Sequence, residues 1–192
     1  MFRRLSLLTT ICLLAAAGVA RSTTVFPPSF DALVSSAATI FVGEVMNVRS
    51  EWETTRNGRA IITLVTFRVE EVWKGNVGAV TQLEFLGGEI GVVGMKVEGM
   101  PTFRLGQRDV LFVDGAVRMV SPLVGFMHGR MRVEHDTVSR VDRVRTFDGR
   151  ALGSIAQIGP QRAAPSLESI TPMRLSDLET AVRSRVSAAR QR

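Results

Sequence analysis

The sequence predicts a mainly β fold, an antiparallel barrel or sandwich, with one amphipathic α-helix at its C-terminal end. Three observations carry this expectation. Between Ala37 and Arg145, short β-branched and aromatic runs alternate with polar residues and are separated by turn residues. Asn57-Gly58 and Asp114-Gly115 are dipeptides favoured by two-residue hairpin loops, whose central residues need positive φ. Past Ser176 the apolar spacing changes from every second residue to that of a helix face.

The chain begins with the three parts of a secretory leader. Arg3 and Arg4 form a cationic start, Leu5 to Ala17 an apolar run, and Gly18-Val19-Ala20 a small-residue exit. Residues 1–20 are therefore expected to be a signal peptide, cleaved after Ala20. The apolar run falls short of the ~20 residues a spanning helix needs. No later run reaches that length either, so no stable membrane insertion is expected after cleavage. The protein is expected in the periplasm or secreted. Its one cysteine, Cys12, would leave with the leader. That excludes disulfides, cysteine nucleophiles, iron–sulfur clusters and cysteine zinc sites from the mature chain.

Residues 21–36 read as a lead-in without regular periodicity, and residues 37–150 as the β domain. The first strand contains Ile40-Phe41-Val42-Gly43-Glu44-Val45. A glycine inside such a run marks a bend or bulge, so Gly43 is expected at a bend. The second strand, Ala60 to Lys74, has the strongest pattern: Phe67 and Val69 alternate with Arg68 and Glu70. Glu71 then puts the alternation one step out of phase, the mark of a bulge at Glu70-Glu71. Phe67 and Val69 are expected core residues. A third strand follows at Ala79 to Leu86, with Thr81, Leu83 and Phe85 on one face. The glycine-rich stretch to Gly99 reads as a hairpin or a close strand crossing. Val110 to Val113, Asp114-Gly115 and Ala116 to Val120 suggest another hairpin, and further strands are expected at 129–134 and 137–145. Residues 151–175, with Gly159-Pro160, Pro165 and Pro172, read as a linker. Residues 176–192 form the helix. Ser176 and Glu179 make a capping box, and Leu178, Ala181, Val182, Val186 and Ala189 make the apolar stripe.

Phe41-Val42-Gly43-Glu44-Val45, then Phe67-Arg68-Val69-Glu70-Glu71-Val72-Trp73-Lys74-Gly75, then Phe103-x-x-Gly106 followed by Val110 to Val113 make up a family pattern. It resembles the OB-type barrel of netrin-like modules and tissue inhibitors of metalloproteinases, and more closely uncharacterised exported bacterial relatives of these. The resemblance covers roughly Ala37 to Arg132. It implies a five- or six-stranded antiparallel OB-like barrel, and a protein partner that could be an extracellular metalloprotease. The animal inhibitors chelate the protease zinc through an N-terminal cysteine, which the mature chain lacks. That device does not carry over.

No catalytic signature is present: the chain has no G-x-S-x-G, S-x-x-K or H-E-x-x-H. His128 and His135 lack a close ligand spacing, so neither a metal nor a cofactor is expected. Gly88-x-x-Gly91-x-x-Gly94 is followed by Met95-Lys96-Val97, which continues as strand rather than helix, unlike a phosphate loop. Loss of Arg3 and Arg4 with the leader lowers the net charge from +6 to +4. Acidic and basic residues are interleaved, which argues against a nucleic-acid stripe. The expected function is a non-catalytic, exported binding module for another protein. The alternatives are an exported hydrolase with an unrecognised site and a structural, envelope-associated protein. Binding is expected at Trp52 and on the glycine-rich hairpin, through Ile90, Val92, Met95 and Met100. Apolar and aromatic side chains there provide contact area that interleaved charges do not.

Overall fold

The computed structural model describes residues 26–55, 58–115, 120–160 and 170–191. The leader, residues 21–25 of the lead-in and residues 161–169 of the proline-containing stretch lie outside these residues.

A helix, α1 (Phe30–Ser36), precedes the strands. Its N-cap is Ser29, whose hydroxyl accepts from the Ala32 amide at 3.2 Å. At its other end Lys74 Nζ donates to the carbonyls of Val34 and Ser35, at 2.7 and 3.1 Å. Strands β1 (Ala37–Thr55) and β2 (Gly58–Lys74) then form a long antiparallel hairpin. They are followed by β3 (Val80–Leu86), the short pair β4 (Gly88–Ile90) and β5 (Val93–Met95), β6 (Arg108–Asp114), β7 (Arg130–Asp136) and β8 (Val141–Thr146). Helix α2 (Leu175–Arg190) ends the fold. Six strands make one antiparallel sheet in the order β3-β2-β1-β6-β7-β8, and β4-β5 stand apart as a second sheet.

Bulges bend the long hairpin where the sequence marks one. The register runs Val42↔Glu71 and then Gly43↔Val69, leaving Glu70 as the extra residue. Two further shifts insert Trp73 on β2 and Met46 on β1. A side chain on Gly43 would crowd the Phe41 ring at 3.0 Å and the Arg68 carbonyl at 3.3 Å.

The sheet buries apolar residues on both faces. On one, Ile40, Val42, Val110, Phe112 and Val144 pack with Trp73, with Phe30 and Leu33 of α1, and with Leu178 and Val182 of α2. On the other, Phe41, Val45, Val65, Phe67, Leu83, Phe85 and Leu111 gather around Phe103, from the segment between β5 and β6. That second face is strongly rolled. Strands β3 and β7 are four places apart, about 19 Å in a flat sheet. Yet the Phe103 ring lies 4.9 Å from Phe85 of β3 and 4.3 Å from the guanidinium of Arg130 on β7.

The roll stops short of the closed barrel expected from the sequence. Among the described residues no ladder joins β3 to β7 or β8. β8 extends the sheet, its outer edge is met by Ala151 and Arg174, and Phe103 fills the space between the converging ends. The tight Asp114-Gly115 hairpin is also corrected. One edge of β6 belongs to β1, and the other belongs first to β7 and then to Pro122–Val124, through Asp114 N to Pro122 O at 2.8 Å and Val124 N to Phe112 O at 2.9 Å. Residues 116–119, in the expected returning strand of that hairpin, lie outside the described ones. The described ends of the stretch 151–175 lie against β8: Met173 donates to Leu152 O at 2.7 Å, and Val144 to Met173 O at 3.0 Å. That tie also moves the helix start. Arg174, not Ser176, is the N-cap, with no side-chain bond to the first turn, and Glu179 instead pairs with Arg183 at 2.6 Å.

Candidate functional site

The turn from β3 into β4 folds the small hairpin back over β1 and β2. Gly87 has φ +101° and Gly88 +139°, in the region that favours glycine. A side chain on Gly88 would run into the hydroxyls of Ser50 and Thr63. Gly87 donates to Ile61 O at 2.7 Å, and Thr63 Oγ1 donates to Gly87 O at 2.7 Å. Ser50 and Thr63 share a further hydrogen bond at 3.1 Å. The Thr63 hydroxyl thus pins the turn to the sheet, and Ser50 bonds that hydroxyl from β1.

Between hairpin and sheet lies a groove of about 710 Å³, with Val48, Phe85, Met95, Val97, Met100 and Phe103 among its walls. Its outer wall is the strap 96–103, which one buried ion pair anchors. Arg130 is 1% exposed and Asp109 fully buried. Arg130 Nε and Nη2 donate to the two Asp109 carboxylate oxygens at 2.9 and 3.1 Å, and Nη1 donates to the Thr102 carbonyl at 2.6 Å. The same guanidinium lies over the Phe103 ring. Burial pushes the Asp109 carboxyl up, against the pull of Arg130 and Arg132.

The sequence-predicted contacts divide in two. Met95 and Met100 line the groove. Ile90 is half-buried on β4, and Val92 stands fully exposed at the hairpin tip; neither is among the groove's lining residues. Trp52 lies on the groove face of β1, two residues past Ser50, 42% exposed and with Arg59 stacked on its ring at 4.7 Å. It too is outside the groove wall. Sequence reasoning missed Val48, Phe85, Val97 and Phe103 as wall residues. Their only sequence mark is apolar character, shared with the core.

On the other face charges form a row. Arg68 pairs with Glu44. Arg108 donates to the bulge residue Glu70 and to Asp142, each at 2.7 Å, and His135 Nδ1 meets Asp142 at 2.8 Å. Burial pushes the Asp142 carboxyl up, but hydrogen bonds from Arg108 and His135 outweigh it and hold the pKa below the usual range. His128 sits in a separate turn against Phe147, at 5.2 Å, and burial lowers its pKa. Among the described residues no three His, Cys, Asp or Glu side chains are grouped so as to hold a metal ion, and no helix is long and apolar enough to cross a membrane.

No protein-family model, curated protein or solved structure matches this chain.

Proposed function

We propose that this chain is an exported, non-catalytic binding module that holds an apolar segment of another protein in the groove beneath the β4–β5 hairpin. The observation that carries the reading is the groove itself. Its walls include Val48, Phe85, Met95, Val97 and Met100, with Glu89, Lys96 and Thr102 among the polar residues that line it, and the hydroxyls of Ser50 and Thr63 are committed to one another and to Gly87. Pockets of several hundred Å³ with apolar walls and few polar groups are the usual form of a binding site. The methionines suit an apolar partner of variable shape, since their unbranched side chains repack readily.

The finer fold reading belongs to this proposal. The sheet rolled around Phe67 and Phe103 is an opened OB-like barrel of the netrin-like kind, and the partner class implied by that resemblance is an extracellular metalloprotease. Peptide selection against the purified protein tests the groove. Enriched peptides should be apolar and should lose affinity at least roughly tenfold against Met95→Glu or Met100→Glu, while Val138→Glu, on a distant exposed turn, leaves them bound. Peptides that bind the two groove variants as well as the parent would overturn the assignment.

A further inference from the structure

Strand β1 has neighbours on both edges only as far as Val45. Ala37 to Glu44 pair with β6, and Val45 exchanges hydrogen bonds with Gln107 and Gly106, at 2.8 and 2.9 Å. From Asn47 to Thr55 the only strand laddered to β1 among the described residues is β2. From Asn47 onward the β1–β2 register is regular, the last shift lying between Val45 and Asn47. The result is a long, unbulged outer edge with no second strand laddered to it, a surface to which another strand can add.

Charges commonly protect such an edge, and Arg49, Glu51 and Glu53 lie on this one. Their order does something more specific. In a symmetric antiparallel pair the directly opposite residues share a face, so the two-fold axis must pass through a residue rather than between two. An axis at Arg49 or Glu51 places that residue against its own copy, and one at Trp52 places Glu51 against Glu53. An axis at Ser50 gives Arg49 opposite Glu51, Asn47 opposite Glu53 and Val48 opposite Trp52, with no like charges facing. Arg49 and Glu51 are both well exposed on one face, 3.1 Å apart within the chain, so each can also meet the opposite charge of a second strand.

We propose that two copies of this chain associate through their β1 edges, antiparallel about Ser50, to form one continuous sheet. Val48 lines the groove, and the residue opposite it shares its face. Trp52 of the partner subunit therefore stands at the groove rim, which gives this exposed ring an occupation. The interface involves about nine residues a side, fewer than the ~20–30 of a stable complex. The dimer is accordingly weak and concentration-dependent. This inference does not rest on the groove's binding a partner protein.

Sedimentation equilibrium on the mature protein, from about 1 to about 300 μM, spans the association expected of so small an interface. The parent should pass from monomer to dimer. Arg49→Glu and Glu51→Arg should each weaken association roughly tenfold or more, because each sets like charges opposite across the axis. The double variant R49E/E51R restores the opposition of unlike charges and should recover dimerisation. All four proteins should melt together, since both side chains are exposed, and that melting comparison separates lost pairing from lost folding. A parent that stays monomeric throughout, or a double variant no better than the single ones, overturns the proposal. Peptide binding by the groove is a separate readout, so failure of one reading is not failure of the other.

Discussion

Asp109→Ala isolates the ion pair that anchors the strap. The substitution leaves Arg130 buried with its charge and with two donors, Nε and Nη2, unmatched. Breaking a buried pair from one side costs about 3–5 kcal/mol. The lower end is expected here, because Arg130 keeps its 2.6 Å bond to the Thr102 carbonyl and its place over Phe103. For a domain of this size, a loss of about 3 kcal/mol lowers the melting temperature by roughly 6–12 °C. Arg130→Met makes the opposite error and strands Asp109. Burial already pushes that carboxyl up, so without Arg130 its folded-state pKa stays above the unfolded value. The destabilisation then grows as pH rises from the unfolded pKa towards the raised folded one and is complete above it, so the cost of Arg130→Met should be smaller at pH 5 than at pH 8. The double variant D109A/R130M removes both charges and should return to within about 1 kcal/mol of the parent. Urea unfolding followed by circular dichroism at the two pH values measures all three. A cost below about 1 kcal/mol for Asp109→Ala, or a double variant no more stable than it, would refute the assignment of the pair as the strap's anchor.

Two further outcomes follow from packing and charge. Leu178→Ala, in the buried stripe of α2, should cost about 2–5 kcal/mol in the same unfolding experiment; an unchanged midpoint would mean that the helix does not close the core. The folded-state pKa of Asp142 lies below its unfolded value. Its stabilising contribution is thus present above about pH 4 and fades as pH falls through the lowered folded-state pKa. Asp142→Asn should flatten stability against pH in that acid range, and parallel profiles for parent and variant would remove Asp142 from the acid response.

What could be read in the sequence was local. The bulge at Glu70 showed as a broken alternation, and buried Phe67, Leu83 and Phe85 showed as every-second apolar positions. The stripe of α2 showed as helical spacing. Helix α1 did not, because seven residues make only two turns and leave too little periodicity to count. The capping box failed for a tertiary reason: Met173 and Arg174 are tied to β8, and the helix starts where that tie ends. Asp109 and Arg130 are 21 residues apart, and nothing local distinguishes them from the many exposed acids and arginines. The groove was half legible. Met95 and Met100 lie on the glycine-rich stretch itself, but Val48, Phe85 and Phe103 enter only through the folding-back of that stretch over the sheet.

The apolar face beneath the two helices also has a history in time. Phe30 and Leu33 of α1, Trp73 of β2, and Leu178 and Val182 of α2 share one core, and Arg185 reaches Asp31 at 2.8 Å. During synthesis more than a hundred residues separate Trp73 from Val182. At ~5–20 residues per second that is roughly 5–22 s in which this face has α1 but not yet α2 to cover it. The strands cannot complete their core until the last helix has been made. For a chain proposed to leave the cell, that delay keeps the growing polypeptide in a state that export machinery can still thread.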